Sequence, residues 1–431
     1  MSARAEGAAT RGAAARGAAA RGAGPVAREH DLVVFGATGF VGRLLAAYLA
    51  GHAPAGTRIA LAGRSRERLE AVRAGLPGSA RDWPVLVADA ADEASLAGLA
   101  ASTTAVVTTV GPYLRYGLPL ARACAEAGTH YADLTGEVLF VRRLADEVHQ
   151  TALASGARVV TACGYDSVPS DLAVLVLHER AERDGAGHLL DTTLLARMKG
   201  GFSGGTIDSA RAQLEAVGSD HSLAKVLRDP YALSPDRASE PDLGPERDPR
   251  SVFVERDTGQ WVGPFVMADF NSRIVRRSNA LQGHPYGRRF RYRELSSYGT
   301  GFAGRRRATL ATGVLGLAMA GMADPRTRPL VDRLAPKPGE GPSEQVRESG
   351  WFRMQVRTTT TSGRRYQATV AAQGDPGYAA TAVMLGEAAL ALALDGDRLP
   401  PAAGVLTPAT AIGDRLVERL REQDFTIAVE E

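Results

Sequence analysis

Cysteine is nearly absent from this 431-residue chain: Cys124 and Cys163 stand alone, with no CxxC spacing. That suggests neither a disulfide framework nor a zinc site, no metal is expected, and the setting reads as reducing and cytosolic. Lysine is also scarce, since only Lys199, Lys225 and Lys337 contribute to 51 basic residues. With so much Ala and Gly beside it, the arginine bias reads as the imprint of a GC-rich coding sequence. The body of the chain has no excess of charge of either sign. The formal +3 lies in the first thirty residues, where Arg4, Arg11, Arg16, Arg21 and Arg28 oppose Glu6 and Glu29, and the remainder balances at 46 basic against 46 acidic. A nucleic-acid partner is therefore not expected. One stretch has to be weighed against the roughly 20 apolar residues of a spanning helix. The uncharged segment 308–323 falls short, so a buried or partner-facing helix is expected there, with peripheral lipid contact as the alternative.

What is present is ordinary for a globular protein: 45% apolar and 23% charged residues. The length suits two domains, or one domain with a large insertion. Residues 7–24 repeat Arg-Gly-Ala-Ala-Ala without a large apolar side chain, so residues 1–30 are expected to be a disordered tail. No apolar h-region follows its arginines, which argues against a secretory signal.

From Asp31 the pattern changes. A buried-strand run, 32–35, leads into Gly36-Ala37-Thr38-Gly39-Phe40-Val41-Gly42 and then an amphipathic helix to about Ala50. A GxxGxxG loop between strand and helix has a physical purpose. Gly36 makes the tight turn, Gly39 lets backbone N–H groups approach a pyrophosphate, and Gly42 lets helix and strand pack closely. The second strand, 58–62, is followed by Arg64 and Ser65, where an NAD enzyme would carry an acidic residue for the ribose hydroxyls. An arginine there suits the 2′-phosphate of NADP(H) instead. Further strands are expected at 85–88, ending at Asp89 near the adenine, and at 105–109, 130–133 and 158–162, with helices at 116–127, 139–155 and onward to about Arg183. This alternation predicts an α/β fold: a Rossmann-type doubly wound parallel sheet in residues 31–185. Ligands in such sheets sit at the carboxyl ends of the strands, so 110–113, 134–137 and 163–170 face one cleft. Ser170 and Asp171 are expected to cap the helix that follows.

Residues 186–373 lose the alternation. Strands are expected at 192–198, 288–295, 352–360 and 366–372, the last two forming a hairpin across Ser362-Gly363-Arg364, with a glycine-rich loop at 200–206 and long loops over 229–260. This reads as an inserted α+β domain with a mixed or antiparallel sheet, the seat of substrate choice. Residues 374–431 are expected to return to the nucleotide domain as helices. The helix 378–394 is apolar nearly all round, with Glu387 its one charge.

Gly36–Gly42 as spelled above, Thr109-Val110-Gly111-Pro112-Tyr113, His130-Tyr131-Ala132-Asp133-Leu134-Thr135-Gly136-Glu137 and Gly164-Tyr165-Asp166-Ser167-Val168-Pro169-Ser170-Asp171 together resemble the saccharopine dehydrogenase-like oxidoreductases. The likeness is nearest to their trans-acting enoyl reductase branch. Ser203-Gly204-Gly205-Thr206, Gly374-Asp375-Pro376-Gly377-Tyr378 and Leu406-Thr407-Pro408-Ala409-Thr410 extend it to the later chain. The resemblance implies NADPH use, a Rossmann domain interrupted by a β-rich one, and an acyl or polyketide thioester, free or carrier-bound, in lipid or glycolipid synthesis. Cofactor contacts are then expected from Gly36, Thr38, Gly39, Phe40, Val41, Gly42, Arg64, Ser65, Asp89, Val110, Gly111 and Pro112.

An enoyl reductase needs a hydroxyl or N–H beside the nicotinamide to stabilise an enolate, and a proton donor for the α-carbon. Tyr113 and Tyr165, on the inferred cleft loops, are the candidates, with Glu137 and Asp166 able to orient them. Two alternatives stand beside this reading. One is a saccharopine-type dehydrogenase acting on a C–N bond, which would need cations such as Arg115 and Arg197 for carboxylates. The other is a non-catalytic NADP-binding protein at a lipid surface. The oligomeric state is left open.

Overall fold

The structure, a computed structural model, describes residues 28–200, 204–244, 249–323, 326–327 and 341–431. Residues 1–27 of the expected tail and 201–203 of the expected 200–206 loop lie outside these residues, whereas 204–206 open the helix Gly204–Ser219 and His30 opens the first strand. Two seven-stranded sheets organise the rest. The strands are β1 (His30–Phe35), β2 (Ile59–Gly63), β3 (Val85–Val87), β4 (Thr103–Thr108), β5 (His130–Ala132), β6 (Arg158–Val160), β7 (Leu189–Lys199), β8 (Phe253–Val254), β9 (Trp261–Pro264), β10 (Arg291–Ser297), β11 (Trp351–Thr360), β12 (Arg365–Gln373), β13 (Gly404–Leu406) and β14 (Thr426–Glu430).

The first sheet is wholly parallel in the order β13-β6-β5-β4-β1-β2-β3. Its central strands are continuous apolar runs, because helices cover both faces: Leu32, Val33 and Val34 of β1 and Val106 of β4 are fully buried. On one face lies the helix Thr381–Leu394, packed against Phe40–His52 and against β1, β4 and β5. Its single charge, Glu387, is buried yet partnered: Arg419 Nη1 donates to it at 2.8 Å and Tyr48 donates its hydroxyl at 2.6 Å. The other face carries Tyr113–Ala127, which starts three residues earlier than its sequence suggests, and the span 139–155 is two helices, Val138–Glu147 and His149–Ser155.

The second sheet runs β14-β12-β11-β7-β10-β9-β8 and is mixed: β7 and β10 are parallel, and the other pairs are antiparallel. The hairpin β11–β12 forms as expected. The helix Val168–Arg183, leaving the end of β6, packs on β11, β12 and β14 and so joins the two sheets. Neither Ser170 nor Asp171 caps it. Asp171 instead accepts the N–H of Ala409 at 2.8 Å, at the start of the short helix Pro408–Ala411, while Ser170 accepts from Asn271 at 3.3 Å. A helix absent from the sequence reading, Ala268–Leu281, is buried despite Arg273, Arg276 and Arg277. Residues 404–431 divide between the sheets, with β13 pairing β6 and β14 pairing β12.

Among the described residues one helical span is long and apolar enough to cross a membrane, Pro376–Leu394, and it is mostly buried inside the molecule. The segment expected to be buried or partner-facing, 308–323, belongs to the helix Gly301–Ala323 and is largely exposed.

Candidate active site

The parallel sheet brings four segments to the carboxyl ends of β1, β4, β5 and β6. At the first, Gly36 has φ +88°, and a Cβ there would stand 2.7 Å from the Val110 side chain and 2.9 Å from Thr109 Oγ1. Gly42 lies against the Gly36 carbonyl, so any side chain at Gly42 would push the helix off the loop. Thr109 Oγ1 donates to that same carbonyl at 3.1 Å and ties the second loop to the first. The helix Phe40–His52 has no side-chain cap and no acidic residue in its first turn. Such an end offers free N–H groups and a positive dipole to a phosphate. Gly39 and Gly111 are exposed, and Thr38, Val41, Val110 and Pro112 are partly exposed around the same opening. The residues fit a dinucleotide pyrophosphate.

Arg64 follows β2 at the surface and makes no ion pair among the described residues. Ser65 is the N-cap of Arg66–Ala74, its hydroxyl accepting the Arg68 N–H at 3.4 Å. Asp89 turns its carboxylate onto its own loop, accepting from Ala91 N at 3.0 Å. Phe40, placed among the cofactor contacts by its position, packs its ring edge-on against Tyr378 at 4.9 Å with the Arg347 guanidinium 5.5 Å above it, and so also keys later residues to the phosphate loop.

The loop after β5 is held by its own acids. Asp133 is fully buried and accepts from Thr135 N, Ala162 N and the Tyr131 hydroxyl at 3.0, 3.0 and 2.9 Å. Burial outweighs these bonds and pushes its carboxyl up to about 7. The bond to Ala162 secures a non-glycine residue at φ 62°, a left-handed conformation costing on the order of 1 kcal/mol or more. Glu137, also fully buried, receives the N–H groups of Tyr113 at 2.9 Å and Leu114 at 2.7 Å, and thus caps a helix of a neighbouring βα unit. Burial holds its carboxyl above the usual range.

The two candidate tyrosines are both nearly inaccessible. Tyr113 donates its hydroxyl to the Thr108 carbonyl at 3.1 Å and leans on Phe140. Tyr165 has its N–H on Thr381 Oγ1 at 3.0 Å, its ring edge-on to Phe352, and its hydroxyl 3.3 Å from the Met198 sulfur. Burial raises both phenols well above their ordinary value. Asp166 differs. It is partly exposed, beside Gly136 and Met267, with no hydrogen-bond partner among the described residues, and burial pushes its carboxyl up to about 7. Arg115, a cation that a carboxylate substrate would use, is paired with Glu215. Thr109, Thr381, Met198 and Met267 were not foreseen, since nothing local in the sequence distinguishes them from ordinary core and loop residues.

Residues 32–182 match the family model described as the saccharopine dehydrogenase NADP binding domain. A Mycobacterium tuberculosis protein provisionally named a trans-acting enoyl reductase is 54% identical over 402 residues, covering 91% of this chain and 96% of its own. A Mycobacterium bovis protein named trans-acting enoyl reductase is 49% identical over 405 residues, covering 92% and 96%. Among solved structures, apo saccharopine dehydrogenase (L-Glu forming) from Saccharomyces cerevisiae aligns with TM-score 0.54 over 93% of this chain and 99% of that one, at 11% identity, which speaks to fold alone. With the phosphate loop, the arginine after β2 and the two-sheet architecture in place, the chain belongs to the saccharopine dehydrogenase-like oxidoreductases, as an NADP-binding member of the trans-acting enoyl reductase branch.

Proposed function

We propose that this enzyme uses NADPH to reduce the carbon–carbon double bond of an enoyl thioester delivered by a separate synthase, as a step in building a lipid or glycolipid chain. The observation that carries the reading is the composition of the cleft wall. Around Tyr165 and Asp166 the second domain contributes the thioethers of Met198 and Met267, while Arg115 is already paired with Glu215. Such a wall suits an apolar acyl chain, and the pairing of Arg115 removes one of the two cations a dicarboxylate would use.

The dinucleotide, when bound, supplies the hydride for the β-carbon. The chain's own residues hold and complete the reaction. Gly36, Gly39 and Gly42 let the backbone close on the pyrophosphate, and Arg64 with Ser65 meets the 2′-phosphate. Tyr165 is the proposed donor toward the enolate oxygen and α-carbon, because its present acceptor, a thioether, is weak and easily exchanged for a substrate oxygen. Asp166, near 7, is divided between its protonated and ionised forms at neutral pH and can resupply the proton. Tyr113, whose hydroxyl is engaged by the Thr108 carbonyl, shapes the loop under the nicotinamide ribose.

The test is turnover by the purified chain with an enoyl thioester on coenzyme A and on an acyl carrier protein. NADPH oxidation should match a product heavier by two hydrogens. NADPH binding without turnover on any enoyl thioester, or turnover with an imine alone, rejects the reading.

A further inference from the structure

The helix Gly301–Ala323 is built inside out. Its inward face is made of small side chains: Gly304 and Ala308 are buried, and Thr312 lies against Gly263 of β9. These recur every four residues, one face of a helix. The opposite face, at spacings of four and three residues, carries Arg306, Leu310, Val314 and Leu317, and the last three are 71%, 61% and 76% exposed. Phe302, in the first turn, is 74% exposed. A helix folding onto its own protein does the reverse, because turning leucines to water forfeits about 1.5–3 kcal/mol for each.

Charge narrows the choice of what covers this face. Arg305, Arg306 and Arg307 sit at one end, with no acidic residue anywhere in 301–323. Arg305 stacks over Trp261, while Arg306 and Arg307 are exposed and unpaired among the described residues. A second copy of the same face would bring like charge and no counter-charge. A groove in a partner protein covers one stripe, yet exposure here continues around the helix to Ala318, Met319 and Ala320. The uncharged part, 308–323, is about 24 Å long at 1.5 Å per residue, short of a bilayer core, so it can lie in an interface but not span it.

We propose that the outward face of this helix seats the enzyme on an anionic lipid surface, with Arg306 and Arg307 among the headgroups and Leu310, Val314 and Leu317 in the acyl boundary. The assignment does not depend on the substrate. The full-length chain is sedimented with sucrose-loaded phosphatidylcholine vesicles, with and without phosphatidylglycerol, and NADPH binding by fluorescence serves as the control for folding. Wild type should pellet with phosphatidylglycerol vesicles. Leu310→Glu/Val314→Glu/Leu317→Glu should abolish this, and Arg306→Glu/Arg307→Glu should weaken it by more than about tenfold, both with NADPH affinity unchanged. Failure of wild type to pellet, indifference to phosphatidylglycerol, or pelleting undiminished in the triple variant overturns the proposal. So does a wild-type dimer that the triple variant splits, or capture by an acyl carrier protein that it loses, when no vesicle binding is seen.

Discussion

Glu137 accepts the backbone N–H of Tyr113 across a buried gap of 2.9 Å, and with the neighbouring bond to Leu114 it joins the loop after β5 to the helix after β4. An acid that could orient a donor from its position is thus a fastening between two walls of the cleft. Removing it leaves one buried and one half-buried donor unsatisfied, at about 1–3 kcal/mol for a buried one. Glu137→Ala should therefore destabilise the protein by at least about 1 kcal/mol in urea unfolding, and Glu137→Gln by less, since one acceptor remains. Unchanged stability in Glu137→Ala would show that water takes over both bonds.

The contact between Gly42 and the Gly36 carbonyl predicts a specific loss of cofactor affinity. Gly42→Ala should weaken NADPH at least about tenfold, roughly 1.4 kcal/mol, when titrated by fluorescence. An unaltered Kd would mean the loop yields without disturbing its N–H groups.

Arg64 stands at the surface after β2 with no acidic partner among the described residues. Arg64→Asp should shift the ratio of kcat/KM for NADPH over NADH by at least about tenfold toward NADH, because charge-assisted bonds to a phosphate become repulsion. A ratio that stays the same removes Arg64 from phosphate recognition.

Asp166 gives a pH dependence with a definite sign. Its folded value of about 7 lies above the ordinary 3.8. Between them the folded protein holds a proton that the unfolded chain has released, so its contribution is full below about pH 4 and lost as pH rises through about 7. Asp166→Asn removes this titration. Its stability should gain on wild type between pH 4 and pH 8 by on the order of 1–2 kcal/mol, seen as diverging Tm values. Parallel curves would mean that Asp166 ionises freely in the fold.

The nucleotide half was readable because two periodicities and a glycine loop agree there: continuous apolar runs for β1, β2 and β4, amphipathic helices between them, and Gly36, Gly39 and Gly42 at the turn. The mixed sheet was readable through its hairpin. The helix Ala268–Leu281 was not, because Asn271, Arg273, Arg276 and Arg277 have the composition of a solvated surface. Distant groups receive them instead: Arg277 donates to the carbonyls of Leu233 and Val405, Arg276 to that of Tyr292, and Asn271 to the Glu294 carboxylate. β13 and β14 were missed since they stand outside the strand–helix alternation that revealed the equally short β3, β5 and β6, and their partners are remote in sequence. At the site, the loops were located correctly, but which side chain already has a partner is a tertiary fact. Tyr113 and Asp166 look equally available in sequence and are not equally available in space.

One chain segment of fewer than thirty residues closes an edge of each sheet, β13 on the first and β14 on the second. Detaching it would strip both domains of a terminal strand together. The two halves are therefore coupled thermodynamically by a shared clasp, beyond the one apolar cluster that already holds Val34 of β1 and Met354 of β11, and their melting should merge into a single calorimetric transition.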